Sequence, residues 1–194
     1  MKIYKNVFEK IISPENLFSA WDNFKVGKIK KKDVQAFEWK LEQNIFQLHR
    51  ELGRCTYRHG SYASFYIRDP KQRHIHKAEV RDRILHHAVF SIFNPIFEPT
   101  FISCSFSCRI DKGNHRGVSA LENFIRRTNK NYSQPCFVLK CDIKKFFDSV
   151  NHSILLGIIK KRVKDKKAIW LLREIIDSYR TAFQRERERE RERE

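Results

Sequence analysis

The sequence predicts an α+β fold, rich in helix and poor in strand. Three observations carry that expectation. Apolar residues recur at spacings of three and four over most of the chain. Two short runs flank Asp69-Pro70-Lys71-Gln72 as the arms of a hairpin. Only one further segment, Phe137-Val138-Leu139, reads as a strand. With 194 residues, 41% of them apolar and 16 of them Phe, the chain suffices for one domain with a real core.

Taken in order, Ser13-Pro14-Glu15 opens a helix: Ser as N-cap, Pro at the first helical position, an acid in the first turn. That helix carries Leu17, Phe18, Trp21 and Phe24, and Gly27 with the basic run from Lys28 to Lys32 ends it. Asp33 is expected to cap a longer helix whose buried face is Val34, Phe37, Leu41, Ile45, Leu48 and Leu52, closed by Gly53. The hairpin arms are Phe65 to Arg68 and Arg73 to His76. A helix follows from about Glu79 to Phe93, with Pro95 as its expected breaker. Gly113 and Gly117 bracket an expected loop, followed by a helix bearing Val118, Leu121, Phe124 and Ile125. After the Phe137–Leu139 strand, helical patterns run from about Ser153 to Val163 and from Lys166 to Tyr179. Residues 1–56 therefore read as an N-terminal helical extension.

Residues 184–194 form a low-complexity tail in which Arg and Glu alternate strictly from Arg185 to Glu194. Its five Arg and five Glu cancel, so the formal charge of +17 resides in residues 1–184. Since Arg can be encoded by AGA and Glu by GAG, our hypothesis is that a dinucleotide repeat, natural or an assembly artefact, interrupts the domain here. Varied Arg and Glu codons in the underlying DNA would end that reading and leave a true charged interaction tail.

A net charge of +17 and a pI near 9.9 favour a polyanionic partner, nucleic acid first. No apolar run approaches the roughly 18 residues of a spanning helix, so no membrane partner is expected. The start, Met1 to Asn6, lacks the apolar segment of a signal peptide, which makes a cytoplasmic location the expectation. The five Cys, at 55, 104, 108, 136 and 141, include no Cys-x-x-Cys pair. Reduced, mostly buried thiols are expected, not a zinc site or a disulfide framework.

The most informative stretch runs from Phe137 to His152. An apolar strand leads to one acid, Asp142; the aromatics Phe146 and Phe147 follow, and then Asp148, Ser149, Asn151 and His152. An acid at the end of a buried strand can hold a divalent cation, because hard carboxylates suit hard cations. An aromatic a few residues on can floor a pocket beside that cation. Upstream, Arg68, Lys71 and Arg73 cluster at the hairpin turn, where guanidinium groups match phosphate oxygens.

These segments, with Arg81 to Val89, Phe93 to Phe101 and Ser105 to Leu121, occur in the order found in bacterial and phage reverse transcriptases. The chain resembles the N-terminal part of that group (group II intron, retron and diversity-generating enzymes) over roughly Tyr57 to Tyr179. The match is nearest to the diversity-generating type. The resemblance implies helix-rich fingers with a β-hairpin and an incomplete polymerase palm, spanning residues 57–183. By resemblance, Arg73, with Lys71 and Arg68 behind it, would grip an incoming deoxynucleoside triphosphate. Asp142 would be the first catalytic, metal-binding acid, and the Ile143 carbonyl would face the same Mg2+. Phe147, five residues after the acid, would screen the sugar 2′ position. Asp148 and His152 would cap or brace the next helix. Arg81, Arg83, Arg109, Lys112, His115 and Arg116 would contact nucleic acid, with pairing of Arg83 to Asp82 or Glu79 as the alternative. His86 and His87 are expected in the core or against template, since adjacent helical positions point about 100° apart and cannot easily share an ion.

The implied partners are an RNA template, a DNA primer, the nucleotide and an accessory protein of a retroelement. The family's reaction is two-metal nucleotidyl transfer. The chain contains no Asp-Asp pair, however, and no segment after Tyr179 that resembles the family's continuation. One acid of the set predicts poor Mg2+ binding and negligible turnover. Three readings compete: a polymerase fragment truncated after the start of the palm, a non-catalytic RNA- or DNA-binding module derived from such an enzyme, and a decayed reading frame.

Overall fold

The computed structural model describes residues 2–143 and 146–191, without the side chains of 147–148 and 180–191. The fold is α+β, helix-rich with a single antiparallel hairpin among the described residues. The chain divides into two compact units, Met1–Phe93 with Val150–Glu194, and Asn94–Ser149.

In the first unit, α1 (Val7–Ile12), α2 (Pro14–Lys25), α3 (Lys32–Glu38) and α4 (Leu41–Gly53) precede β1 (Tyr62–Asp69) and β2 (Lys71–Ala78). Helix α5 (Val80–Phe97) follows and runs across the boundary between the units. Helices α8 (His152–Arg162) and α9 (Lys166–Arg191) complete this unit. Phe8, Ile11, Leu17, Trp21, Phe24, Ile45, Leu48, Ile84, Leu85 and Leu171 form its buried core. Ser13 caps α2 as read from sequence, its hydroxyl accepting from the Asn16 N–H at 3.2 Å, with Pro14 at the first position.

Chain segments far apart in sequence meet here. The Tyr4 N–H donates to the Arg162 carbonyl at 2.8 Å, and the Lys164 N–H donates back to the Tyr4 carbonyl at 2.9 Å. Asp165 does two tasks at once. One carboxylate oxygen caps α9, accepting from the N–H groups of Lys167 and Ala168. The other accepts from the Phe8 N–H at 2.8 Å, tying α1 to the start of α9.

Several local expectations are corrected. The long helix expected after Asp33 is two helices, because the chain turns at Trp39 and Lys40. The Asn44 side-chain amide donates to the Phe37 carbonyl across that turn. Phe37 then stacks on Trp21 with ring centroids 5.6 Å apart. Asp33 is not an N-cap; it lies inside α3 and is held by ion pairs. Pro95 does not break α5, which ends two residues later at Phe97. A proline so close to the helix end removes one ladder hydrogen bond with little helix left to disrupt. Asn151, not His152, caps α8, accepting from the Ile154 N–H at 3.1 Å. His152 instead lies 3.8 Å from Asp177 of α9, a bracing position. The Asp148 side chain lies outside the described residues. The backbone of α9 continues as helix through Arg191, into the Arg-Glu run. The thiols are more open than expected: Cys104, Cys108 and Cys141 are exposed and the other two are half-buried.

The second unit holds the end of α5, a 3-10 turn (Glu98–Thr100), α6 (Gly113–Thr128) and the short α7 (Phe146–Ser149). Helix α6 begins at Gly113, so the expected loop around His115 and Arg116 is its first turn. Its apolar residues Val118, Leu121 and Phe124 are exposed, and none of the residues of α6 is buried. The expected Phe137–Leu139 strand is absent: the segment has no regular structure, and Phe137 is 97% exposed. A strand needs a neighbour to satisfy its backbone N–H and C=O groups. Among the described residues, the only sheet is β1–β2.

Candidate nucleic-acid interface

The hairpin is tighter and longer than the sequence implies. Asp69 pairs with Lys71, which leaves Pro70 at the tip, and the ladder continues to Tyr62 opposite Ala78. Its register sorts the side chains onto two faces, since successive residues of a strand point to opposite sides. Lys71 and Arg73 share one face with Phe65, Ile67 and Lys77. Arg68 lies on the other, with Tyr66, Gln72, His74 and His76. The expected trio at the turn is thus a pair and a single. All three are exposed, and none has an ion-pair partner among the described residues.

The face with Arg68 carries a run of rings. Tyr66 stacks on His74 at 4.3 Å between centroids, His74 contacts His76 at 4.5 Å, and His76 meets Tyr179 of α9 edge-on at 5.6 Å. On the face with Lys71 and Arg73, the hairpin base is held by Lys77, whose Nζ lies 2.7 Å from Asp33 Oδ2. Arg83 of α5 donates to the same oxygen at 2.7 Å and lies over the Phe24 ring. Burial works to raise the Asp33 pKa, but the hydrogen bonds and charges of Lys77 and Arg83 outweigh it and hold the carboxyl below its ordinary value.

Arg81 is also engaged within the first unit. It donates to Glu51 at 3.0 Å, to the Arg58 carbonyl at 2.7 Å and to Asp82 at 3.3 Å, and its guanidinium lies over the Tyr57 ring. The Arg83 partner is Asp33, where the sequence offered Asp82 or Glu79. Arg81 and Arg83 thus brace α5 against its neighbours, and Arg68, Lys71 and Arg73 are the candidate basic groups of this unit that face solvent without such pairs.

A buried polar cluster at the hairpin root escapes the sequence reading. Asp82 is wholly buried and accepts from the Tyr57 hydroxyl at 2.8 Å and from the Gly60 N–H at 2.9 Å. Burial first, and then the Asp82 carboxylate, push the Tyr57 phenol well above its ordinary pKa, so it stays a neutral donor. A Cβ at Gly60 would come within 2.8 Å of Asp82 Oδ2, which explains glycine at that position. The acid between two arginines in Arg81-Asp82-Arg83 is the one signal the sequence offers. Nothing in its spacing points back to Tyr57 and Gly60.

In the second unit, Arg109 folds the loop around itself. It donates to Glu98 at 2.8 Å and to the carbonyls of Ile102 and Ser105 at 2.9 Å, and it lies over Phe101. Its side chain is only 10% exposed. Lys112 donates to the Ser103 carbonyl at 2.6 Å. His115 and Arg116 are exposed on the first turn of α6. Asp142 and Ile143 are exposed, with no strand beside them among the described residues. The Phe147 side chain lies outside the described residues. No three His, Cys, Asp or Glu side chains are grouped to hold a metal ion among the described residues. Among the described residues Asp142 is a single solvent-facing carboxylate, and Mg2+ held by so few protein oxygens would draw the rest of its shell from water and substrate phosphates.

No protein-family model matches the chain. Curated relatives do. The group II intron-encoded protein LtrA of Lactococcus lactis subsp. cremoris is 21% identical over 184 residues, which cover 90% of this chain and 29% of LtrA. Protein YkfC of Escherichia coli K12 is 26% identical over 97 residues, covering 50% of this chain and 25% of YkfC. Nuclear intron maturase 1 of Arabidopsis thaliana is 27% identical over 92 residues, covering 47% of this chain and 12% of the maturase. The chain therefore spans less than a third of the length of each. These similarities support an origin among reverse-transcriptase-related proteins of the group II intron kind. No described helix is long and apolar enough to cross a membrane.

Proposed function

We propose that this chain is an RNA-binding module built from the fingers and the first part of the palm of a reverse-transcriptase-related protein. In this reading it holds RNA through the hairpin and does not itself polymerise. The observation that carries the reading is the solvent-facing set Arg68, Lys71 and Arg73 on a hairpin whose base is anchored by ion pairs, in a chain similar to LtrA over most of its length. Cations on a rigid projection neutralise phosphates without giving up ion pairs of their own.

The polymerase reading rests on the sequence around Asp142 and Phe147. It assigns the RNA template, DNA primer, deoxynucleoside triphosphate and Mg2+ to the longer proteins of the group, with an accessory protein as a further partner. Primer extension on an RNA template with Mg2+, run beside an RNA-binding titration, separates the two. Salt-sensitive binding without synthesis supports the module. Synthesis that Asp142→Ala abolishes would replace it with the polymerase. An absence of RNA binding at low salt would remove both.

A further inference from the structure

We infer, resting on the RNA-binding reading above, that the ring-bearing face of the hairpin stacks the unpaired bases of an RNA strand, with Tyr66 as the ring that receives them. Lys71 and Arg73 offer charge on one face of the hairpin; the opposite face offers rings. Tyr66 and His74 lie 4.3 Å apart between centroids with 9° between their planes, so His74 covers one side of the phenol ring. No second ring or cation covers the other side among the described residues, and Tyr66 is 58% exposed. A large ring left open to water gains by meeting another flat π-surface, and every base carries one.

The open side of Tyr66 is held in place. His74 contacts His76, and His76 meets Tyr179 of α9 edge-on. At the root of the same face Tyr62 meets Tyr179 at 6.0 Å and stacks on His59, whose Nε2 lies 3.2 Å from that of His86 in α5. Rings tied in this way to α9 and α5 need little further ordering when a base arrives, so less of the stacking energy is lost. Charge agrees with that occupant. Arg68 stands near the tip of this face and no Asp or Glu of the hairpin shares it, whereas Asp69 lies on the opposite face. Arg68 can meet the phosphate beside a stacked base or lie on the base itself. In a duplex the faces of the bases are already covered by their neighbours, so the rings select single-stranded RNA.

Tyr66→Val removes the ring and keeps a β-branched strand residue, and Tyr66→Phe keeps the ring. The full chain is titrated with a short unstructured RNA, and with the same RNA annealed to its complement, over a series of salt concentrations. Tyr66→Val should bind the single strand roughly tenfold more weakly than the wild type. Its salt slope should be unchanged, because no phosphate contact is lost. Tyr66→Phe should bind as the wild type does, and the annealed RNA should bind all three proteins alike. Unchanged affinity in Tyr66→Val, an equal loss on single strand and duplex, or a loss that comes with a reduced salt slope would overturn the inference and leave the RNA-binding reading standing. A wild type that binds no RNA would remove both. Should Tyr66→Val fail to fold, spectra of the wild type decide alone. The Tyr66 ring protons should move upfield as the single strand is added, under the ring current of a base, and signals that stay still would overturn the inference.

Discussion

The Tyr57 hydroxyl donates to Asp82 at 2.8 Å, and both side chains are fully buried. This bond joins the segment after α4 to the first turn of α5, and Arg81 covers it from outside. Tyr57→Phe removes the donor and leaves a buried carboxylate short of one partner. A destabilisation of about 1–3 kcal/mol is expected, because an unsatisfied buried acceptor costs more than the bond itself contributes. Chemical denaturation at pH 7 measures it, and no resolvable change would show that water replaces the phenol.

Gly60 should resist substitution by any residue with a Cβ. The added carbon would lie 2.8 Å from Asp82 Oδ2 and 2.9 Å from Glu79 Cδ. Glu79 can move aside, but Asp82 is fixed by Tyr57. Gly60→Ala should cost about 1–3 kcal/mol by overpacking. Gly53, whose Cβ position is open, provides the control: Gly53→Ala should not lower the thermal midpoint comparably.

Asp165→Ala should release both α9 and α1. The variant lacks the cap on Lys167 and Ala168 and the acceptor for the Phe8 N–H. The cap alone predicts about 1 kcal/mol or somewhat more. Hydrogen exchange should show the Phe8 amide losing protection. Unchanged exchange there would mean that the carboxylate is not what ties the two helices.

Asp33 gives a pH dependence with a defined direction. Its folded pKa lies below the ordinary carboxylate value, so its pairing with Lys77 and Arg83 contributes above that value and fades as pH falls through the folded one. Thermal midpoints of wild type and Asp33→Asn, compared from about pH 7 to about pH 2, should converge at the acid end. A gap that persists there would assign the effect to packing.

Arg73→Ala and Arg83→Ala should separate on RNA. For a single strand, each phosphate that is no longer neutralised lowers the slope of log affinity against log salt by about 0.7. Arg73→Ala should do so with stability unchanged. Arg83→Ala should destabilise the fold and leave the slope nearly intact, because its guanidinium is already paired with Asp33. Equal slopes for wild type and Arg73→Ala would argue against the hairpin as the RNA-holding element.

Those contrasts mirror what the sequence could and could not reveal. Ser13, Pro14 and the Asp69–Gln72 turn were legible because their physics is local: a cap, a preset φ and a chain reversal act within a few residues. The core positions of α2 and α4 were legible from periodicity. Asp33, Arg81, Arg83 and Arg109 were not, because a charged side chain looks the same whether it meets solvent or a partner fifty residues away. The Phe137–Leu139 strand failed for a related reason. Alternation and β-propensity describe a segment, but a ladder needs a second strand, and the described residues supply none beside it. The histidines were half legible: spacing argued against a shared ion at His86 and His87, yet it could not bring His59 to face His86.

The junction of Tyr4 with Arg162 and Lys164 has a consequence for synthesis on the ribosome. The emerging N-terminus must wait for Lys164 to be made before its last neighbours arrive. At translation speeds of roughly 5–20 residues per second, that is on the order of ten seconds or more. During this interval Phe8 lacks the Trp170 ring that later meets it edge-on at 6.3 Å. A nascent chain stalled before codon 165 would present that bare surface to chaperones, whatever the maturity of the hairpin.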